Sequence, residues 1–148
     1  MSTYFYEDIK KKFIKESLLT TEANKWAESF IYPSPPQDRY QQRNPQLTSA
    51  QLRKFHIEAK NFEEKVKYFN DPNNIEDDFK RIIPLIKMMK SKVAYACPDN
   101  GRDRKVPLEF RRYLETMVDN INDVRDFKAF CLCFEAVVGY YYGLGGGK

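Results

Sequence analysis

Ten basic side chains lie between Lys80 and Arg112 (Lys80, Arg81, Lys87, Lys90, Lys92, Arg102, Arg104, Lys105, Arg111 and Arg112), against three acidic ones, Asp99, Asp103 and Glu109. This segment carries +7 while the whole chain carries +4, so the remainder is net acidic. One concentrated positive segment on a mildly basic protein is a place to hold a polyanion. With the apolar positions of the segment turned inward, Lys80 and Lys87 fall on one flank and Arg81 and Lys92 on the other. Met88 and Tyr95 point outward between them. Cations around an exposed aromatic suit single-stranded nucleic acid, because charges track phosphates while the ring stacks on a base. An ordinary solvated helix face, with the tyrosine packed on a neighbour, has the same pattern. Lys90 falls inside the apolar arc, so it must snorkel, pair or reach a partner.

Two further places could take phosphate. The stretch Pro98-Asp99-Asn100-Gly101-Arg102-Asp103-Arg104-Lys105 joins two helical patterns, and Asn100-Gly101 permits positive φ. Backbone amides beside arginines there suit an anion, although a plain helix–helix loop needs no such role. Upstream, Arg53, Lys60 and Lys67 share one strip with Glu64, and Lys54 and Lys65 share the opposite flank with Glu58. Pairing with the glutamates is the default for Lys60, Lys65 and Lys67. Arg53 and Lys54 sit near a helix N-terminus, where the dipole disfavours cations and favours a bound anion.

Catalytic signals are weaker. His56 is the only histidine, with Glu63 two turns on, and no serine or cysteine nucleophile stands in a suitable context. A packed or capping histidine is the better reading. Glu76-Asp77-Asp78 open a helix, where carboxylates complement the dipole, and a metal-nuclease centre is the lesser alternative. Cys131 and Cys133, two apart on a helix, point to opposite sides and lack a second ligand pair, so they read as buried small apolar residues. The ending Gly143-Leu144-Gly145-Gly146-Gly147-Lys148 lacks the Ser/Thr and the helix of a phosphate loop. No metal and no cofactor is expected.

The elements that must position these groups are helices. At 148 residues, with 42% hydrophobic and 15% aromatic side chains, the chain reads as one folded domain rather than a disordered one. Leu52, Phe55, Ala59, Phe62, Val66 and Phe69 make one stripe, with Thr48 as N-cap and Asp71-Pro72 as stop. Ile75, Phe79, Ile82, Ile83, Ile86, Met89, Val93 and Cys97 make a second, in which Pro84 predicts a kink or short break. A third follows Pro107 with Phe110, Leu114, Met117 and Ile121. The fourth, from Phe127, is apolar almost all round, which suits a helix central in a bundle or one facing a protein partner. Thr20 to Ile31 reads as a helix with Ala23, Trp26, Ala27 and Phe30 inward, and Tyr4 to Leu19 as a less regular one. Four prolines between Tyr32 and Gln46 mark an extended connector. The expected organisation is a single helical domain: an N-terminal helical segment 1–31, a connector 32–46, a main bundle 47–142 and a fraying tail 143–148. The fold class is all-α, a compact helical bundle of about five helices with no sheet. Neither a signal peptide nor a membrane span is read, and an odd count of three cysteines suggests a reducing cytoplasm.

Three segments in order resemble the small subunit of type III-A CRISPR (Csm) RNA-guided interference complexes. They are Leu47-Thr48-Ser49-Ala50-Gln51-Leu52-Arg53-Lys54-Phe55, then Lys90-Ser91-Lys92-Val93-Ala94-Tyr95-Ala96 with Gly101-Arg102, then Phe134-Glu135-Ala136-Val137-Val138-Gly139-Tyr140-Tyr141-Tyr142-Gly143. The resemblance implies a small helical bundle without a catalytic centre. It further implies copies that self-associate by stacking beside other subunits of the effector complex and contact phosphates of guide and target RNA without reading sequence. It carries Arg53, Lys54, Lys90, Lys92 and Arg102 over as RNA-binding positions, joined by Tyr95, and Lys87 adds to them from the flank analysis. The rivals are a helical protein-assembly subunit with no direct nucleic-acid contact, and a nuclease using His56 or Glu76-Asp77-Asp78.

Overall fold

Apolar residues three and four apart dictate the architecture, and the computed structural model, which describes residues 3–35 and 44–147, places them on seven helical segments. These are α1 (Glu16–Leu19), α2 (Thr21–Ile31), α3 (Ser49–Lys67), α4 (Ile75–Lys87), α5 (Met89–Ala96), α6 (Leu108–Asp119) and α7 (Val124–Gly143). α1 is a single turn, and α4 and α5 divide the second apolar stripe, so the five expected helices account for the bundle. No strand occurs among the described residues, only an isolated bridge between Tyr6 and Ile14.

α7 runs through the centre. Phe127, Phe130, Cys133, Phe134, Val137 and Tyr141 are fully buried, and α2 and α3 pack along it. This answers the all-round apolarity of its sequence: α7 is a core helix. Edge-to-face rings fix the middle of the core, with Phe30 against Phe110 at 5.2 Å, Phe55 against Phe110 at 5.4 Å and Tyr113 against Phe134 at 6.0 Å. Truncating any of these buried phenylalanines to alanine costs about 3–5 kcal/mol. All three cysteines are free and buried. Burial pushes the Cys133 thiol up to about 12 and raises Cys97 and Cys131 as well, as befits packing residues.

Local chemistry sets the helix ends. The Thr48 hydroxyl accepts from the Gln51 N–H (3.2 Å), as its type and place predict. Asp123 caps α7 by accepting from the Asp126 N–H (2.9 Å), so that helix starts one turn before the expected Phe127. α4 runs through Pro84 and parts from α5 one turn later, at Met88, whose N–H is divided between the Pro84 and Ile86 carbonyls.

The N-terminal segment departs from expectation. Of Tyr4 to Leu19 only the α1 turn is helical. The Asp8 carboxylate accepts from the Lys12 and Phe13 amides, and Lys11 adopts φ 57°, so a side-chain-closed loop replaces helix there. The Lys11 ammonium then reaches the start of α7, bonding Asp123 (2.6 Å) and the fully buried Asp126 (3.0 Å).

Residues 36–43, the middle of the proline-rich connector, lie outside the described residues. Both ends of the connector are tied to α6. Glu109 accepts from the Ser34 N–H (2.8 Å) and from Asn44 Nδ2 (2.9 Å), while Asn44 Oδ1 accepts from the Leu108 N–H (2.8 Å). At the other terminus, where the sequence suggests a fraying tail, Gly145 (φ 93°) lets the Gly146 N–H bond the Tyr141 carbonyl. A Cβ on Gly146 would sit 2.6 Å from the Tyr141 ring. Lys148 lies outside the described residues.

Candidate nucleic-acid interface

The candidate residues separate into two groups according to what holds each cation. On one face, α3 lies beside α5. Lys54, Glu58, Asn61 and Lys65 share a strip of α3, and the Glu58 carboxylate takes the Lys92 ammonium of α5. One turn beyond Lys92, Tyr95 is 80% exposed, which rules out the alternative of a ring packed on a neighbouring helix. The Lys105 ammonium lies over its ring at 5.9 Å. Lys105 is held there by the backbone, since its N–H donates to the Ala96 carbonyl at 2.7 Å. Lys54, Lys92, Tyr95 and Lys105 therefore form one exposed ridge, with the Glu58 carboxylate set among them and Leu85 and Met88 continuing it along α4 and its end.

Lys87 and Lys90 leave this ridge and turn to the C-terminal end of α6. Lys87 donates to the Val118 carbonyl and Lys90 pairs with Asp119. Ammonium groups at a helix C-terminus satisfy its open carbonyls and complement its dipole. Burial pushes the Lys87 ammonium below its ordinary range. Lys90, inside the apolar arc, thus resolves its position by pairing.

The 97–106 loop uses its charge internally, together with Arg111 from α6. Arg104 is buried and donates to the Pro98 carbonyl (3.0 Å). Arg111 donates to the Cys97 carbonyl and to Asp99, both at 2.8 Å, and to Glu115 at 3.0 Å. Gly101 takes φ 73°, as the Asn-Gly pair predicts. The amides of Gly101, Arg102, Lys105 and Val106 are all bonded within the chain, so they do not form the open anion cradle the loop sequence suggests. Arg102 itself is exposed at the turn. Arg53, on the neighbouring strip of α3, is exposed too, and neither arginine forms an ion pair among the described residues. The +7 of the segment is therefore partly structural charge.

His56 packs its ring edge against Phe134 at 5.3 Å and meets Glu135, not Glu63, at 3.0 Å, with Lys60 on the same carboxylate at 3.2 Å. Partial burial pushes Glu135 up, but these two partners hold its carboxyl below the ordinary range. The packed histidine expected from sequence is what the structure holds. Among the described residues no three or more His, Cys, Asp or Glu side chains gather to hold a metal ion. No helix among them is long and apolar enough to cross a membrane.

Sequence reasoning missed Lys105 and Lys11 as positioned cations. Lys105 stands ten residues from Tyr95 across a loop, and Lys11 is 115 residues from Asp126, so neither spacing signals contact.

No curated protein and no solved structure matches the chain. A family model described as Csm2 Type III-A does, over residues 37–146, a span that holds the whole α3–α5 ridge and the 97–106 loop. With most of its length matched, the chain belongs to the Csm2 type III-A family and is a small subunit of a type III-A CRISPR complex.

Proposed function

We propose that the chain is a non-catalytic, RNA-lining subunit. In the cytoplasm, several copies stack along the guide–target RNA of the effector complex and bind its phosphates without sequence specificity. The observation that carries this reading is the ridge of Lys54, Lys92 and Lys105 around the exposed ring of Tyr95. Lysines there neutralise phosphates, and the tyrosine offers a face to an unpaired base, a combination that is affinity without readout. Arg53 and Arg102, exposed on α3 and at the 97–106 turn, are further phosphate-binding positions of this reading. Lys87 and Lys90 hold α6 instead. Base pairing within the guide–target duplex supplies the sequence recognition, so the protein needs only the backbone. The test is a titration of the purified protein against labelled single-stranded RNA of arbitrary sequence. Salt-sensitive binding that disappears in the double variant Lys54→Glu/Lys92→Glu supports the reading, and equal binding by that variant refutes the ridge.

A second reading, a protein-assembly subunit without RNA contact, takes its support from the large apolar side chains left exposed at Ile9, Phe13 and Leu132. The last helix adds only Leu132 and Tyr142 to that exposed apolar surface, because most of α7 is buried at the centre of the bundle. Absence of RNA binding even at low salt would favour this alternative.

A further inference from the structure

Glu22, Lys25, Trp26 and Ser29 recur at helical spacing along one strip of α2, and Glu109 and Arg112 do so on α6, which packs beside it. Together these six side chains line a cleft of about 430 Å³, within the size range of small-ligand sites. None of them belongs to the RNA ridge. Trp26, the only tryptophan, is half-buried and braced by two fully buried rings, Tyr113 edge-to-face at 5.3 Å and Phe30 at 6.3 Å. An indole held in this way offers a planar apolar wall at little entropic cost on binding.

The charges around this wall differ in what they have to spare. Both carboxylates already accept hydrogen bonds within the chain, Glu22 from the Ser17 hydroxyl (2.8 Å) and Glu109 from the Ser34 N–H and Asn44 Nδ2. Lys25 and Arg112 are exposed and form no ion pair among the described residues. The charge left free in the cleft is therefore positive. The Ser29 hydroxyl donates to the Trp26 carbonyl (2.6 Å), which leaves its oxygen lone pairs to accept from a ligand hydroxyl. A planar wall, two spare cations and a free acceptor match three parts of one molecule: an aromatic base, a phosphate and a sugar hydroxyl. A phosphate monoester, with its greater charge, suits this pair of cations better than a carboxylate does.

We propose that the cleft between α2 and α6 binds a nucleoside monophosphate, with its base against Trp26 and its phosphate held by Lys25 and Arg112. The same group is supplied by a free nucleotide or by the 5′-phosphorylated end of an RNA strand. The sequence-indifferent phosphate contacts of the ridge are a separate function, and this inference does not rest on them.

Because Trp26 is the only tryptophan, its fluorescence reports on the cleft alone. The test is quenching of that fluorescence in the purified full chain, excited at the red edge of the indole band, by adenosine 5′-monophosphate up to about 10 mM, well above a millimolar Kd. Saturable quenching is expected. Adenosine, which lacks the phosphate, should bind at least about tenfold more weakly, as should wild-type ligand to Lys25→Gln/Arg112→Gln, the loss expected for a charge-assisted hydrogen bond. The single variants Lys25→Gln and Arg112→Gln decide the matter if the double variant fails to fold by circular dichroism. A short single-stranded RNA with a 5′-phosphate, compared with the same strand ending in a 5′-hydroxyl, distinguishes the sources. Quenching by the phosphorylated strand alone of the two assigns an RNA end, and quenching by the mononucleotide but by neither strand assigns a free nucleotide. Absence of quenching by both the mononucleotide and the phosphorylated strand overturns the proposal. So does adenosine binding as tightly as its monophosphate, equal quenching by the two strands, or unchanged affinity in the cation variants. Labelled-RNA anisotropy, read on the same protein, reports on the ridge, so either reading can fail without the other.

Discussion

Glu58 of α3 holds the ammonium of Lys92 on α5, an ion pair that bridges the two helices carrying the exposed cations. It also places a carboxylate in the middle of a surface proposed to meet phosphate. Glu58→Gln should keep the packing and free Lys92, tightening RNA binding roughly 2- to 5-fold at low salt, the range of an exposed ion pair. Fluorescence anisotropy with labelled single-stranded RNA measures this, and weaker binding by the variant would contradict it.

Tyr95 should contribute through its ring and not its hydroxyl. Tyr95→Ala should cost about 1–3 kcal/mol of RNA binding if a base stacks there, and Tyr95→Phe should bind like the wild type. Equal weakening in both variants would point to the hydroxyl instead. Neither change should move the thermal midpoint, because the side chain is exposed.

Lys87 should behave as a stability residue. Lys87→Ala removes a charged donor from the Val118 carbonyl at the end of α6 and should cost about 1.5–3 kcal/mol in urea unfolding, with RNA affinity nearly unchanged. The opposite pattern, normal stability with impaired binding, would return Lys87 to the interface.

Lys11 and Asp126 form a buried pair that ties the N-terminal loop to α7. Lys11→Met leaves Asp126 buried without its cation and should cost about 3–5 kcal/mol. Burial lowers the Lys11 pKa, but hydrogen bonds to Asp123 and Asp126 outweigh it and raise the pKa above 10.5. The stabilisation is therefore fully present below 10.5 and lost as pH rises through the higher folded value. Unfolding curves for wild type and variant should converge only in strong alkali.

Glu109 supplies the acid counterpart. Burial pushes its carboxyl up, yet bonds from Ser34 and Asn44 hold it below 4.5. Its stabilisation is thus present above 4.5 and lost as pH falls through the lower folded value. Glu109→Gln should be about 1 kcal/mol less stable than wild type at neutral pH, and the gap should close in acid. A gap that persists unchanged in acid would mean the charge does not hold the connector.

The helices were legible because their apolar spacing, a local property, matches what the core needs. The stripe from Leu52 to Val66 and its Thr48 cap needed no tertiary information, and α2 was readable from Ala23, Ala27 and Phe30. The loop of residues 3–15 was not legible, because Asp8 bonding its neighbours and Lys11 reaching α7 are decided by interactions the spacing does not encode. The same holds for the cations. Charge density marked the segment 80–112, but which members turn outward depends on partners far along the chain. Lys90 meets Asp119, Arg111 meets the Cys97 carbonyl, and Lys92 meets Glu58.

The most direct test of the RNA-lining account is the salt dependence of binding to single-stranded RNA, compared between wild type and Lys54→Glu/Lys92→Glu. The account predicts sequence-indifferent binding that weakens steeply with salt, with a log–log slope reduced by about 0.7 for each phosphate that the variant no longer neutralises. Binding that is absent at low salt, or identical in affinity and slope in the double variant, would contradict it.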